Sequence, residues 1–362
     1  MIDDKDLKAL MDYGESENPV VSLYLDVDLT KRTKEEVMLV LRGLLKEASA
    51  QADKADIERI RDFFTLEYDW QAKGVAVFSC EKSGLWQTYS LAAPVQDGVY
   101  VMPKPYVRSL VILKALHDRY GIALVSREQA RFFLLHMGEV MEYEGVVGSI
   151  PGRHKQGGWA QARYQRHIDE RAAQQLRSAA EAFVNLYSKE KWNYIILGGT
   201  DENTNMFQEF LPSNLRELVI GSFAADMTAS TREIRDEALA LAQAFEKKRA
   251  ASLVKEAVTK AAKGKGAAIG LDDTLNAVRE GRVQVLLVMP GFKASGRACE
   301  NCGYVTVQEI ENCPFCSANM VEVPDVVERA VEQTFKANGK VVVVQDGEEL
   351  KKAGSIAALL RY

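Results

Sequence analysis

Four cysteines in the C-terminal part of the chain form two pairs with the same internal spacing, Cys299 with Cys302 and Cys313 with Cys316. A CxxC turn directs two thiolates at one point, so two such turns supply the four sulfurs of a tetrahedral zinc site. Since a catalytic zinc ion keeps one coordination position open, four cysteine ligands predict a structural Zn²⁺ ion. The pattern therefore predicts a zinc ribbon over residues 297–320, inserted between strands of a larger domain.

The overall composition is typical of a folded globular protein. The chain has 362 residues, 47% of them hydrophobic, which is enough for two or three domains. No apolar run approaches the roughly 20 residues that cross a bilayer, and the acidic N-terminal segment lacks a signal-peptide pattern. A formal charge of −5 argues against general coating of nucleic acid, so RNA contacts must come from local basic patches. Five cysteines are too few, and four of them too regularly placed, for a disulfide framework, which predicts a reducing, cytoplasmic environment. The lack of a spanning apolar run predicts no membrane contact.

Hydrophobic periodicity predicts an α/β protein with mixed sheets and three domains: residues 1–105, 106–246 and 247–362. In the first domain, alternation at 20–28 predicts a strand, and segments 74–80 and 85–91 predict a β-hairpin. Pro103 and Pro105 mark the boundary to the second domain, because proline interrupts both helices and strands.

Two long helices are predicted in the middle part of the chain. The first covers about residues 160–189, and the second follows a capping box at 230–233 and runs to about Ala262. The second helix is expected to bridge the second and third domains. Between them, the strand at 194–200 ends in two glycines and a threonine, which indicates a plain strand-to-helix turn because the fuller phosphate-loop pattern is missing.

A basic segment, Pro151–His167, directly precedes and opens the first of these helices. Its centre is the pair Gly157 and Gly158 followed by Trp159, and paired glycines allow the backbone to approach another molecule closely. Cationic and histidine side chains around such a pair fit a phosphate backbone, which predicts RNA contact. The predicted RNA-binding residues are Arg153, His154, Lys155, Arg163 and Arg166.

The run from Gly152 to Tyr164 resembles the peptidyl-transferase-centre loop of archaeal and eukaryotic class I peptide chain release factors. Gly157 and Gly158 match the two glycines of that loop, whereas the family's catalytic glutamine falls on Trp159. The chain therefore resembles the bacterial branch of release-factor-like proteins. The ending at 354–362 and the segment at 272–275 are also similar to the third domain of that family.

This resemblance implies hydrolysis of the ester that joins the peptide to tRNA, with Gly157, Gly158, Trp159 and Gln161 as the catalytic candidates. In the family, a backbone N–H of the loop helps to stabilise the transition state and the glutamine shapes space for water. Trp159 keeps the backbone N–H, and Gln161 is the nearest glutamine. Alternatively, the indole of Trp159 stacks on an RNA base. Catalysis and docking both stay open at this point.

The resemblance further implies a release-factor-like translation factor acting on the ribosome. Its partners would be ribosomal RNA, peptidyl-tRNA and a possible translational GTPase. The first domain lacks the family's stop-codon motif, so codon reading is not expected. Two alternatives stay open: a ribosome rescue factor that does not hydrolyse the ester, and an RNA-binding scaffold protein without catalysis.

Overall fold

The computed structural model describes residues 4–14, 17–143, 161–299, 301–345 and 347–362, with only the backbone described for Asp4 and for residues 161–169. Contacts divide the chain into two compact units: Met1–Leu116 with Ala250–Tyr362, and His117–Arg249. The structure combines several β-sheets with α-helices, so the α/β class predicted from the sequence is confirmed. The finer division into three domains stays a prediction.

The N-terminal part of the first unit contains a four-stranded antiparallel sheet in the order β3-β2-β1-β4. Its strands are β1 (Val20–Asp26), β2 (Gly74–Cys80), β3 (Leu85–Leu91) and β4 (Gly98–Met102). Its helices are α1 (Asp4–Met11), α2 (Lys34–Ala48), α3 (Lys54–Asp62) and α4 (Arg108–Leu116). The predicted strand at 20–28 and the predicted hairpin are confirmed, and β1 and β2 are buried along nearly their whole length.

The second unit contains a five-stranded mixed sheet in the order β7-β6-β5-β8-β9, as predicted for this region. Its strands are β5 (Tyr120–Val125), β6 (Ala130–His136), β7 (Glu139–Glu142), β8 (Tyr194–Gly199) and β9 (Val219–Phe223). Its helices are α5 (Gln161–Glu190), α6 (Asp201–Phe210), α7 (Ser213–Arg216) and the first part of α8 (Thr231–Ala262). Thr200 caps α6 by accepting from the amide of Asn203, so β8 leads into α6 through a capped strand-to-helix turn.

The C-terminal part of the first unit contains a four-stranded sheet in the order β10-β16-β11-β15 and an inserted three-stranded sheet in the order β13-β12-β14. Its strands are β10 (Ala267–Ile269), β11 (Val283–Val288), β12 (Gly296–Cys299), β13 (Val305–Thr306), β14 (Met320–Val323), β15 (Lys340–Val343) and β16 (Ile356–Leu360). Its helices are α9 (Leu271–Arg279), α10 (Val326–Lys336) and α11 (Glu348–Lys352). The small sheet lies between β11 and α10 in sequence, where the ribbon insertion is predicted.

Candidate functional site

The four paired cysteines converge on one point in the small inserted sheet. Their sulfur atoms all lie within 4.8 Å of one another. The sulfur of Cys299 lies 3.3 Å from that of Cys316, and the sulfur of Cys302 lies 3.5 Å from that of Cys313. A tetrahedral ion with metal–sulfur bonds of about 2.3 Å holds its sulfurs about 3.8 Å apart, so these separations fit a four-sulfur metal site.

The two CxxC turns have the same backbone hydrogen bonds, which explains why they present their thiols in the same way. The amide of Cys299 donates to the carbonyl of Tyr304 at 2.7 Å, and the amide of Gly303 donates to the carbonyl of Cys299 at 3.1 Å. The second turn repeats both bonds, from Cys313 to Ala318 at 2.8 Å and from Ser317 to Cys313 at 2.9 Å. Gly303 has φ 71°, a left-handed conformation that glycine adopts without strain.

A small apolar cluster surrounds the sulfurs. Cys299, Cys313, Tyr304 and Met320 are buried together. Phe315, between the second pair of cysteines, packs its ring edge-on against Tyr304 with centroids 4.9 Å apart. Four cysteine ligands leave no open coordination position, so the site can hold a metal ion in a structural role.

The glycine–tryptophan loop lies outside the described residues. This applies to Gly157, Gly158 and Trp159 and to the predicted phosphate contacts Arg153, His154 and Lys155. Gln161 is the first residue of α5, and the next two candidates, Arg163 and Arg166, follow within the first two turns. Arg163 and Arg166 are three positions apart, so they lie on one face of the helix. The roles of all these residues stay predictions.

Helix α5, which carries the candidates from Gln161 onward, is anchored to the sheet by large side chains farther along. Phe183 is fully buried and contacts the rings of Phe132, Trp192 and Phe207, with centroids 4.9, 4.7 and 5.8 Å away. Trp192 in turn lies against Gly121, where an added Cβ would come within 2.2 Å of the indole. Ala172, Leu176 and Phe183 are the buried residues through which the helix packs on the sheet.

Two histidines of the second unit lie close to the start and the end of the β5–β6 hairpin. Burial lowers the pKa of His136 to about 4, assisted by the positive charge of Arg119. Burial also lowers the pKa of His117. Neutral imidazoles packed beside the sheet fit a structural role better than acid–base catalysis near pH 7.

A buried group of carboxylates at the N-cap and along the first turns of α10 was not among the residues predicted from the sequence. Asp325, Glu328 and Glu332 are all buried, and they face basic residues from the segment that follows β4. The guanidinium of Arg108 donates to Asp325, and the ammonium of Lys104 lies 2.9 Å from Glu332. The available signal was the spacing of three and four positions, which places all three acids on one helix face.

No helix among the described residues combines the length and the apolar character needed to cross a membrane.

Residues 105–243 match the family described as bacterial archaeo-eukaryotic release factor family 10. The chain is 26% identical over 406 aligned positions to peptide chain release factor subunit 1 of Methanocaldococcus jannaschii, with coverage of 99% of this chain and 96% of the relative. It is 25% identical to the protein of the same name from Thermococcus sibiricus, with coverage of 95% and 93%. Among solved structures, a ribosome-bound archaeal Pelota is similar at 17% identity and a TM-score of 0.42, with coverage of 99% and 94%.

Proposed function

We propose that this chain, which is similar to archaeal release factors over nearly its whole length, is a release-factor-like translation factor that acts on the ribosome in the cytoplasm. The observation that carries this proposal is the similarity to archaeal release factors over nearly the whole length of both chains. The match to the bacterial release-factor family covers the segment that contains the glycine–tryptophan loop. Ribosomal RNA and peptidyl-tRNA are the proposed partners, together with a translational GTPase.

The proposed reaction is hydrolysis of the ester between the nascent peptide and tRNA. Gly157 and Gly158 would let the backbone enter the reaction centre, and the backbone N–H of Trp159 would donate to the oxyanion that forms when water attacks the ester carbonyl. Gln161 would help to position that water. The leaving group is the hydroxyl of the tRNA ribose, which takes up a proton as the bond breaks.

Nearby basic residues would hold the loop against RNA. Arg163 and Arg166 share a face of α5, so both can contact the same phosphate backbone. Arg153, His154 and Lys155 supply further cationic or hydrogen-bonding groups on the other side of the glycine pair. These contacts would position the loop without reading sequence.

The metal in the four-cysteine site is proposed to be Zn²⁺. Its support is the convergence of four sulfurs within 4.8 Å, a donor set that suits zinc and leaves no position for water. The ion would hold the two turns of the ribbon together and would take no part in the reaction.

A second candidate function is rescue of stalled ribosomes without ester hydrolysis. The observation that favours it is the tryptophan at the position of the family's glutamine, because an indole cannot provide the glutamine's side-chain amide. In that case Trp159 would stack on a base and anchor the loop.

The deciding experiment measures peptide release from stalled peptidyl-tRNA ribosome complexes and, in parallel, binding to those complexes. Under the hydrolytic proposal, Gly158→Ala should abolish release, whereas Trp159→Gln should retain or raise it because any residue except proline keeps the backbone N–H. Gly43→Ala is the matched control, since an added Cβ at Gly43 in α2 meets nothing within 4 Å.

The alternatives give different results in the same experiment. For the rescue factor, the wild-type protein binds without releasing peptide, and Trp159→Ala weakens binding by roughly 1–3 kcal/mol. A wild-type protein that neither binds ribosomes nor releases peptide would leave the RNA-binding scaffold as the remaining function. If the wild-type protein releases peptide, Gln161→Ala tests the role of that glutamine. Slower release with unchanged ribosome binding would support a position of Gln161 beside the attacking water.

A further inference from the structure

One end of the C-terminal four-stranded sheet collects basic side chains from segments that are far apart in sequence. Strand β16 ends at Leu360 and is followed by Arg361. Strands β10 and β11 both run antiparallel to β16, so their first residues lie beside its last ones, with Ala267 opposite Leu359 and Val283 opposite Leu360. Strand β15 runs parallel to β11 and therefore begins at the same end.

We call this end of the sheet the basic edge. It contains the residues just before or at the start of β10, β11 and β15, the residue after β16, and the last residue of α9. Its members are Lys263, Lys265, Arg279, Arg282, Lys340 and Arg361. Arg282 is held in the turn after α9, where its amide donates to the carbonyl of Ala277 at 3.1 Å.

The positive charge of the basic edge is only partly neutralised within the protein. Glu280 accepts from the guanidinium of Arg282 at 2.6 Å and lies 3.4 Å from that of Arg279. Lys263, Lys265 and Lys340 are exposed, and none of them forms an ion pair within the part of the chain that the structure describes. A net positive surface therefore stands on a chain whose formal charge is −5.

Arg361 is fixed in position without an acidic partner among the residues that the structure describes. Its guanidinium donates to the carbonyl of Ala337 at the end of α10, and its amide donates to the carbonyl of Arg282 at 2.9 Å. A carbonyl oxygen orients the guanidinium but does not cancel its charge. The side chain is exposed, so its remaining N–H groups are available to an external phosphate.

Two exposed aromatic residues adjoin members of the basic edge. Phe315 of the ribbon is 55% exposed, and the guanidinium of Arg279 lies 3.8 Å from its ring centroid. Tyr362, directly after Arg361, is 78% exposed. Cations that follow a backbone, combined with rings on which bases can stack, are the combination that binds single-stranded nucleic acid. An acidic protein segment would use the cations but would have no particular need for the rings.

We propose that the basic edge, together with Phe315 and Tyr362, binds a single strand of RNA. The lysines and arginines contact phosphates, and the two rings stack on bases. This proposal deepens the proposed function and rests on it for one point only, the choice of ribosomal RNA as the natural ligand.

The test measures binding of a fluorescently labelled single-stranded RNA of mixed sequence to the purified full-length chain, by anisotropy, over a range of salt concentrations. Each phosphate contact in a single strand contributes about 0.7 to the slope of log affinity against log salt. The double variant Lys265→Ala, Lys340→Ala should therefore bind more weakly at low salt and lose about 1.4 from that slope. The control Arg42→Ala, Lys46→Ala removes two exposed cations from α2 and should leave the affinity and the slope unchanged.

A second variant tests the stacking part of the surface. Phe315→Leu keeps an apolar contact with Tyr304 but removes the ring, and it should lower RNA affinity by roughly 5- to 150-fold without changing the salt slope. Metal content and circular dichroism of this variant check that the ribbon stays folded. If the ribbon does not stay folded, Tyr362→Ala provides the same test at the other ring, away from the cysteines.

Two results would overturn the proposal. One is equal RNA binding by the wild type and the lysine double variant. The other is equally strong competition by polyglutamate and by unlabelled RNA, which would indicate a docking surface for acidic protein. Because the measurement uses no ribosomes, RNA binding with no peptide release would reject the proposed hydrolysis and leave the RNA surface standing. Release activity without oligonucleotide binding would reject the RNA surface and leave the proposed hydrolysis standing.

Discussion

The ammonium of Lys104 lies 2.9 Å from a carboxylate oxygen of Glu332, although the two residues are 228 positions apart in sequence. Only 15% of the lysine side chain and 5% of the glutamate side chain are exposed. Glu332 is also approached by Lys336, at 3.2 Å, one turn farther along α10. Together with Arg108 and Asp325, this pair joins the segment after β4 to α10 through buried charges, and such pairs are costly to break on one side only.

Glu328 lies within the same group of acids and should make stability depend on pH. Burial raises its pKa well above the ordinary value of 4.5, and the negative charges of Glu332 and Asp325 act in the same direction. Between those two pKa values the folded chain holds a proton that the unfolded chain has lost, so the free energy of unfolding falls as pH rises through that window.

The expected result is that Glu328→Gln gains stability relative to the wild type as pH rises above about 4.5, with little difference at lower pH. Urea denaturation at a series of pH values measures this difference. Glu309→Gln, at an exposed position in the ribbon, controls for the loss of one negative charge. A difference between Glu328→Gln and wild type that is constant over the whole pH range would contradict the prediction.

Removing the guanidinium of Arg108 should destabilise the protein strongly. Arg108 is 2% exposed, and it donates both to Asp325 and to the carbonyl of Phe292. Arg108→Met leaves the Asp325 carboxylate buried without its partner, which we expect to cost about 3–5 kcal/mol. Thermal or urea denaturation measures the loss, with Arg42→Met on the exposed face of α2 as the control.

A second substitution tests whether the loss comes from the uncompensated charge. Asp325 also caps α10 by accepting from the amide of Val327 at 3.0 Å, and asparagine keeps a cap oxygen. Adding Asp325→Asn to Arg108→Met should therefore recover part of the lost stability. No recovery in the double variant would mean that packing of the arginine side chain, and not its charge, matters most.

The ribbon should contain one zinc ion per chain. Cys299→Ser removes one of four ligands, so we expect it to lose the metal and to loosen the small three-stranded sheet. Elemental analysis of freshly purified, reduced protein measures the content. Cys80→Ser is the matched control, because Cys80 is a buried cysteine of β2 that does not belong to the four-sulfur cluster. Wild-type protein without zinc would refute the assignment.

Any peptide release should be independent of the codon in the ribosomal A site. The reason is that the first domain lacks the stop-codon motif of class I release factors. Release rates on complexes that carry UAA, UAG, UGA or a sense codon should agree within experimental error. A strong preference for the three stop codons would show that the first domain reads them with other residues.

Local spacing in the sequence was enough to predict several features that the structure confirms. The CxxC pairs predicted one four-sulfur cluster, and the structure brings all four sulfurs together. The prediction was possible because two cysteines separated by two residues share one tight turn, which directs both thiols to the same point. Ser230 and Glu233 predicted a capping box, and the structure has both of its bonds, at 2.8 and 3.3 Å. The glycine–tryptophan loop was identified in the same way, and the roles of its residues stay predictions because they lie outside the described part of the chain.

Only the tertiary structure decided which distant residues meet. Nothing in the local sequence around Lys104 or Arg108 indicates that they face acids on α10, and neither Lys340 nor Arg361 alone marks a basic edge. The basic edge forms because the order and direction of the strands bring separate segments to one end of a sheet. Strand β16, for example, lies between β10 and β11, so its last residues lie beside their first ones. Local sequence fixes turns, caps and periodic faces, since those depend on neighbours within a few residues. The cost or benefit of a charge depends on burial and on partners that the folded chain supplies from far away.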